Sequence, residues 1–229
     1  MFKSLIWLQE VGSTQDFVKE KDMPTETVVV ANLQTRGRGR LGRSWHSSEG
    51  GLYFSLSLYC GFKDEDTLPL VMACAIADYL ESIGFVPAIK WVNDLYLRGK
   101  KVCGILVERL KDKLVVGIGI NVNQNTFPEE IEATSLRIIS GKTFDRVEML
   151  LGLLDHLQES ICRLSNQGFS AFRHEVERRL LFKDSEVILY TPEPVVGILQ
   201  GVGLDGSLLL LTQDGLRSFR IGELSLRAL

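Results

Sequence analysis

The chain has 229 residues, of which 45% are hydrophobic and 24% charged, and 29 acidic against 26 basic side chains give a formal net charge of −3. A chain of this length buries enough apolar surface to fold without disulfides or a structural metal, and its composition excludes intrinsic disorder. The slight acidity also excludes broad binding to nucleic acid, which requires a basic face, but it is compatible with one local basic site.

The N-terminal stretch and the cysteines predict a cytoplasmic protein that does not contact a membrane. Charged residues follow Met1 too soon for a signal peptide. The most apolar stretch, Leu68 to Ala77, is far shorter than the ~20 residues that span a bilayer. The cysteines form no CxxC pair and lie in apolar runs, which is typical of reduced thiols packed in a core. They are Cys60, Cys74, Cys103 and Cys162.

In chain order, the residue pattern predicts a region of helices and strands. Ser13 is placed to cap a first helix, and strict alternation around Ser55 puts small polar side chains on one face of a strand. The other predicted elements are a strand at Thr27–Leu33, a loop at Arg36–Arg43, a strand at Leu52–Leu58, a helix at Leu68–Ile83, an antiparallel meander of three runs at Ala88–Leu97, Lys101–Leu110 and Leu114–Val122, and a helix at Met149–Leu164.

After Phe182 the pattern changes to short strands joined by the turn dipeptides Asp205-Gly206 and Asp214-Gly215. Four short strands in a short stretch predict a small β-barrel appended to a larger α+β domain, so we expect a division into residues 1–182 and residues 183–229. The strands are Glu186–Tyr190, Val195–Val202, Leu208–Thr212 and Leu216–Ile221.

The segment from Gln34 to Trp45 carries arginines at positions 36, 38, 40 and 43, separated by glycines that allow the backbone to approach a ligand closely. The planar fork of a guanidinium group suits carboxylate and phosphate oxygens. The segment matches neither a P-loop nor the glycine pattern of dinucleotide-binding folds. It predicts an anion-binding loop, with a solvated flexible loop or an RNA-binding Arg-Gly tract as the alternatives.

Two groups of residues further along the chain also predict a functional site. Alternation places Lys90, Val92 and Asp94 on one face of a strand, and Lys101 begins the next strand. A lysine and a carboxylate in an apolar sheet are costly unless they are paired or functional, so a local Lys–Asp pair is the alternative interpretation. The glycines in the strand at residues 117–123 indicate close approach of a ligand or another backbone, with a bulge as the alternative.

Taken together, Ser13-Thr14-Gln15, GRGRLGRSW, KWVND, KKVCGIL and GIGINVN occur in an order that resembles the biotin–protein ligases over nearly the whole chain. The resemblance implies a mixed, mostly antiparallel sheet flanked by helices, as in the class II synthetase-like catalytic domain, with a small C-terminal SH3-like β-barrel. The implied activity activates biotin with ATP as biotinyl-5′-adenylate and transfers it to a lysine of a biotin carboxyl carrier domain, such as that of acetyl-CoA carboxylase. Because the catalytic pattern begins at residue 1, we expect no DNA-binding module. A homodimer paired through sheet edges is compatible with the pattern.

The resemblance also implies roles for single residues. Lys101 and Arg40 are the expected catalytic cations, and Asp94 is expected to help place Mg²⁺, a hard ion that prefers oxygen ligands. Val92 stands where the family most often has proline. The expected biotin-binding residues are Ser13, Thr14, Gln15, Gln34, Arg38, Gly39, Arg40, Ser55, Lys101, Gly104 and Gly117. The expected ATP-binding residues are Arg40, Arg43, Trp45, Asn93, Lys101 and Asn121.

Three other functions stay open from the residues alone. A lipoate- or octanoate-protein ligase or transferase handles another carboxylic acid, but a lipoyl site needs a longer apolar slot. A non-catalytic biotin sensor would bind biotin without consuming ATP. An RNA-binding Arg-Gly protein would bind RNA with a steep dependence on salt.

Overall fold

Two β-sheets organise the part of the chain that the computed structural model describes, which is residues 2–220 and the backbone of residues 225–228. The strands of the first sheet are β1 (Ser4–Val11), β2 (Thr27–Gln34), β3 (Leu52–Tyr59), β4 (Ala88–Lys90), β5 (Asp94–Leu97), β6 (Lys100–Leu110) and β7 (Lys113–Ile120). Their order across the sheet is β1-β2-β3-β7-β6-β5-β4. Only β1 and β2 pair in parallel, so the expected mixed and mostly antiparallel sheet is confirmed.

Helices cover both faces of this sheet. The helices in the described ranges are α1 (Thr14–Glu20), α2 (Leu68–Ser82), α3 (Leu136–Ser140), α4 (Arg146–Gln167) and α5 (Arg173–Arg179). Helix α1 packs on β2, β3 and β7, whereas α2 packs on β4 to β6 and is itself covered by α4. The Ser13 hydroxyl accepts a hydrogen bond from the Asp16 backbone amide at 3.3 Å, which confirms the predicted cap.

The alternation predicted for β3 is confirmed, and it explains why the sheet has one polar patch. Phe54 belongs to the main apolar core, while Ser55 is fully buried on the opposite face and bonds to Thr14 of α1. Both faces of the strand are therefore buried, but only the face towards α1 carries hydroxyl groups. This face is where the candidate site lies.

The single strand predicted at Ala88–Leu97 is wrong. The run is a hairpin in which Lys90 and Asp94 are cross-strand partners and residues 91–93 form the turn. Trp91 and Val92 are both buried, and Trp91 Nε1 donates to the Gly206 carbonyl at 3.0 Å. As cross-strand partners, Lys90 and Asp94 share one face of the sheet as predicted, but Val92 lies in the turn and belongs to neither strand, because a period of two does not run through a tight turn.

The second sheet follows the predicted short strands closely. It comprises β8 (Glu186–Tyr190), β9 (Val195–Val202), β10 (Leu208–Thr212), β11 (Gly215–Phe219) and β12 (Ser225–Ala228), in the order β11-β10-β9-β8-β12 and antiparallel throughout. The predicted fourth strand ended at Ile221, which lies outside the described residues. The residue pattern did not predict β1, β12, α3 or α5.

The two sheets share one apolar core. Buried residues of the second sheet, such as Val187 and Leu199, belong to the same cluster as those around α2. The division at residues 182 and 183 stays a prediction, although β8 begins shortly after it. Over the described residues, no helix has the length and apolar character needed to cross a bilayer.

The cysteine prediction is only partly correct. Cys74 and Cys103 are buried, and burial raises the pKa of the Cys74 thiol to about 12, which keeps it protonated. Cys60 is half-buried, and Cys162 is exposed, so the prediction that it lies in the core is wrong. The helical period of α4 places Cys162 beside the buried Ile161 but on the outward face.

A buried arginine joins α2 to α5 and provides a test of the fold. The Arg179 side chain is 2% exposed and bonds to Asp78 and to Glu81 Oε1 at 2.8 Å. Hydrogen bonds from Arg179 and then Arg178 lower the pKa of Glu81 from 4.5 to about 2. Glu81 therefore contributes stability that is present above pH 4.5 and is lost as the pH falls towards 2.

We expect Glu81→Gln to lower the free energy of unfolding at neutral pH by about 1–3 kcal/mol, since it removes a charged partner from a buried cation. The loss should shrink in acid, because below pH 4.5 the Glu81 carboxylate of the unfolded chain takes up a proton while the native one keeps its charge until the pH approaches 2. Urea unfolding at neutral pH and at about pH 3 measures both effects. Glu159→Gln on the exposed face of α4 is the matched control, and an equal loss in both variants contradicts the assignment.

Candidate active site

A cavity of about 160 Å³ lies on the α1 face of the first sheet, beneath residues 36–45, which we call the arginine loop. Its floor comes from β6 and β7, and one wall comes from the start of α1. The sequence-predicted residues that line it are Ser13, Thr14, Gln15, Gln34, Arg38, Gly39, Arg40, Arg43, Trp45, Ser55, Asn93, Asp94, Lys101, Gly104 and Gly117. The structure therefore brings together residues from segments that are far apart in sequence.

The arginine loop folds back on itself as a short hairpin. Gly39 donates its backbone N–H to the Arg43 carbonyl at 2.7 Å, and Trp45 donates to the Gly37 carbonyl at 2.9 Å. A Cβ at Gly37 would lie 2.4 Å from the Ser47 hydroxyl and 2.5 Å from the Trp45 carbonyl, so only glycine fits there. This packing places the backbone of the loop over the sheet, where Arg40 is half-buried while Arg36, Arg38 and Arg43 are exposed.

One end of the cavity is uncharged and rich in hydrogen-bonding groups. Thr14 Oγ1 lies 2.9 Å from Ser55 Oγ, and Gln34 Oε1 accepts from the Thr14 backbone amide at 2.8 Å. Gln15 Oε1 accepts from Ser55 Oγ at 3.2 Å. Such buried donors and acceptors suit a neutral, cyclic polar group, because every partner must be matched when water is excluded.

The other end of the cavity carries charges. Lys101 Nζ lies 2.8 Å from Asp94 Oδ2, and Arg40 Nη1 donates to Asn93 Oδ1 at 3.1 Å. The Lys101 side chain reaches this end because the β5–β6 pairing skips Val102, which is a β-bulge. Without this bulge, strict alternation from Gly104 would place Lys101 on the opposite face.

Electrostatics distinguish the arginines of the loop. Burial lowers the pKa of Arg40, and the charge of Asp94 offsets this only in part. Burial also acts on Arg38, but the charges of Glu108 and Asp16 outweigh it and raise the pKa of Arg38. Arg40 thus has no carboxylate within ion-pair distance among the described residues, which leaves its charge available to an anion.

Trp45 fills part of the cavity by packing on two glycines. A Cβ would lie 2.7 Å from Trp45 Cζ3 if it were added to Gly104, and 2.4 Å from Trp45 Nε1 if it were added to Gly119, its cross-strand partner. Lys101 Nζ lies 5.2 Å from the centroid of the same ring. Trp45 Nε1 and Asp94 Oδ1 are buried without a hydrogen-bond partner among the described residues, so each has an unused capacity to form a hydrogen bond.

We expect Gly119→Ala to lower the free energy of unfolding by about 1–2 kcal/mol, because the added methyl group displaces the Trp45 ring. In a Trp45→Ala background the same substitution should cost less than about 0.5 kcal/mol, since the clash is absent. Urea unfolding of the four proteins gives this double-mutant cycle. Equal costs in both backgrounds would show that Trp45 does not lie over Gly119.

Asn121 is the predicted site residue that does not line the cavity. It follows β7, is buried, and its Oδ1 accepts from Gln124 Nε2 at 3.4 Å. Its backbone amide donates to the carbonyl of Val102, the neighbour of Lys101 in β6. Asn121 therefore stabilises β6 next to Lys101. Its expected role towards ATP stays a prediction.

Two residues that support the site were not identified from the sequence, Ser47 and Glu108, which hold cavity residues by hydrogen bonds. The cavity is also lined by three residues that lie within the predicted motifs but were given no role: Lys90, Trp91 and Gly119. Glu108 lies on the same face of β6 as Gly104 and Leu106, so the period of two from Gly104 was a usable signal for it. No local pattern indicates Ser47.

Comparisons with known proteins agree with this geometry. The pattern of the biotin/lipoate A/B protein ligase family matches residues 7–125, a stretch that contains every residue lining the cavity. The bifunctional ligase/repressor BirA of Bacillus spizizenii is 34% identical over 99% of this chain and 75% of its own length. The biotin–[acetyl-CoA-carboxylase] ligase of Mycobacterium tuberculosis is 32% identical over 80% of this chain and 72% of its own length. The solved biotin protein ligase from Aquifex aeolicus, in complex with biotin and ATP, is 45% identical with a TM-score of 0.95, and both chains are covered in full.

Proposed function

Because this chain belongs to the biotin/lipoate A/B protein ligase family, we propose that it activates biotin with ATP and joins it to a lysine of an acceptor protein. The observation that carries the proposal is one cavity with two unlike ends. Thr14, Gln15 and Ser55 offer neutral hydrogen bonds at one end, and Arg40 and Lys101 offer positive charge at the other. A molecule with a polar ring and a carboxylate tail matches that arrangement.

In the first step, a biotin carboxylate oxygen attacks the α-phosphorus of ATP. A carbon–oxygen–phosphorus anhydride forms, the bond from the α-phosphorus to its bridging oxygen breaks, and diphosphate leaves with the electron pair. Two anions must approach each other, so fixed cations give the largest stabilisation. Lys101 and Arg40 supply that charge, and the Asp94 carboxylate holds Lys101 in place.

In the second step, the neutral amine of the acceptor lysine attacks the biotinyl carbonyl carbon. An amide bond forms, the bond to the phosphate oxygen breaks, AMP leaves, and the amine releases its proton to solvent. The anhydride also reacts with water, so the intermediate must be shielded. The arginine loop, closed over the cavity by its own backbone hydrogen bonds, provides that shield.

The donors at the charged end fit Mg²⁺ carried in by ATP. Among the described residues there is no group of three or more His, Cys, Asp or Glu side chains that could hold a metal alone. A nucleotide-bound Mg²⁺ takes most of its ligands from phosphate and water and needs only one or two carboxylates. Asp94 would hold this ion, because its buried Oδ1 has no hydrogen-bond partner in the part of the chain that the structure describes. Asn93 is adjacent to Asp94. When bound, the ion neutralises phosphate charge.

The test is an assay of the purified chain with ATP, Mg²⁺, biotin and a biotin carboxyl carrier domain. We expect AMP release that depends on biotin and one added biotinyl group in the mass of the carrier. Lipoate and octanoate replace biotin in parallel reactions, and a higher rate with either would overturn the choice of substrate. Biotin binding without AMP release would instead identify a sensor.

Partner, assembly and location are part of the same proposal. The names of the relatives support a biotin carboxyl carrier domain as the acceptor, and contact with DNA is not expected.

The outer edge of β1 is unpaired in the described sheet, which supports a homodimer formed through that edge. Light scattering tests this oligomeric state. The free cysteines support a reducing compartment, such as the cytoplasm.

A further inference from the structure

Glu108 lies just outside the cavity and is in contact with three side chains at once. Its Oε2 accepts from Gln15 Nε2 at 2.9 Å and from Lys19 Nζ at 3.0 Å. Arg38 donates to both carboxylate oxygens, through Nη2 to Oε1 at 3.0 Å and through Nη1 to Oε2 at 3.2 Å. Burial raises the pKa of Glu108, but the bonds from Gln15 and Lys19 and the charge of Arg38 outweigh it and lower the pKa below 4.5. The carboxylate is therefore ionised at neutral pH.

The Gln15 amide can take only one orientation while Glu108 is charged. Its nitrogen lies between two groups that only accept hydrogen bonds, Glu108 Oε2 at 2.9 Å and the Val115 carbonyl at 3.1 Å. Its oxygen consequently points to Ser55 and over Gly117, where an added Cβ would lie 2.6 Å from it. The floor of the cavity thus presents an acceptor at this point, not a donor.

The same network holds both ends of the arginine loop. Arg38, at the start of the loop, binds Glu108 and also Asp16 Oδ1 at 2.7 Å. At the other end, the Ser47 hydroxyl donates to the Trp45 carbonyl at 3.1 Å and accepts from Gln34 Nε2 at 2.9 Å. Because Gln34 bonds to Thr14, the chain of hydrogen bonds returns to the residues around Ser55 and Gln15.

We propose that Glu108 is a positioning residue that selects for a ligand N–H by fixing the Gln15 amide with its oxygen towards the cavity. This inference rests on the proposed function, because the ligand N–H is assigned to the cyclic urea of biotin. Glu108 itself does not touch the ligand. It acts through Gln15, and its second task is to hold Arg38 so that the loop closes above the same group.

The experiment measures the dissociation constant of biotin by calorimetry and the steady-state constants of the complete reaction. Glu108→Gln replaces one of the two acceptor-only groups with an amide that can also donate to the Gln15 oxygen, so only the Val115 carbonyl still favours the orientation with the Gln15 oxygen towards the cavity. We expect the dissociation constant and KM for biotin to rise about tenfold or more, since a charge-assisted hydrogen bond network is replaced by a mismatched one. The values of kcat and of KM for ATP should change less than about threefold, because the charged end is untouched.

Two further variants separate positioning from stability. Lys19→Gln removes another charged partner of Glu108 but leaves its bond to Gln15, so biotin affinity should stay within about twofold. Glu108→Asp keeps a carboxylate that only accepts hydrogen bonds, so the Gln15 nitrogen retains both of its acceptors, although the side chain at position 108 is one methylene group shorter. We expect Glu108→Asp to keep biotin affinity within about threefold of the wild type.

Three results would overturn the inference. The first is unchanged biotin affinity in Glu108→Gln. The second is a parallel fall in kcat, affinity and melting temperature that is equally large in Glu108→Gln and Glu108→Asp. The third is an equal effect of Lys19→Gln. If the wild-type chain binds biotin but does not label the carrier, the proposed function fails while the dissociation constants still test Glu108; if it binds no biotin, both proposals fall.

Discussion

Lys101→Ala is expected to lower kcat for biotin-dependent AMP release by roughly 10²–10³-fold, the usual effect of removing one preorganised donor from a reacting oxyanion. Lys101 Nζ lies 2.8 Å from Asp94 Oδ2 at the charged end of the cavity, and its backbone is fixed on both sides. Its N–H donates to the Glu132 carbonyl at 3.3 Å, and its carbonyl accepts from Thr134 at 2.9 Å. The lysine is therefore a fixed charge, which is worth more to the reaction than a mobile one.

The dissociation constant for biotin should rise far less than kcat falls, because Thr14, Gln15 and Ser55 still bind the ring. Lys100→Ala is the matched control, since Lys100 is adjacent but exposed and does not line the cavity. Circular dichroism checks that both variants fold. A kcat for Lys101→Ala within threefold of the wild-type value would reject Lys101 as a catalytic cation.

Arg40→Ala is expected to lower kcat/KM for biotin and for ATP by about 10²-fold while leaving the free energy of unfolding equal to or above that of the wild type. The guanidinium is half-buried, its one described hydrogen bond goes to the neutral Asn93 Oδ1, and burial lowers its pKa. A buried charge without an ion-pair partner destabilises the free protein. It is stabilising only when an anion enters the cavity.

Steady-state kinetics and urea unfolding on the same preparations measure both halves of this prediction. Arg36→Ala is the matched control, because Arg36 is in the same loop but is exposed and outside the cavity lining. A loss of more than about 1 kcal/mol of stability in Arg40→Ala, with kcat/KM unchanged, would show that this arginine is a structural residue.

Much of the candidate site was predictable because its parts are local. The cap at Ser13 depends on a residue only three positions away, and the polar face around Ser55 depends on a strict period of two. Gly37 and Gly117 were indicated by their positions in a loop and a strand, and each is tightly packed by a neighbouring side chain. Such features need no knowledge of what lies across the sheet.

The errors arise where the local pattern was weak or interrupted. Strand β1 was missed because it is an edge strand with many half-exposed residues and no clear alternation. The run through Val92 has the pattern of one strand because its turn is built of buried side chains, with Val92 1% exposed. Hydrophobicity alone cannot distinguish such a turn from a buried strand.

The chain of motifs determined on its own the family, the mixed sheet and most of the side chains that line the cavity, since these depend on residue types and short spacings. Only the tertiary structure decided how they act. The skipped Val102 in the β5–β6 pairing turned Lys101 towards Asp94, and the approach of α1 to β6 placed Glu108 between Gln15 and Arg38. These contacts join residues up to 93 positions apart, and their geometry follows from how helix and sheet pack together, which no local period along the chain records.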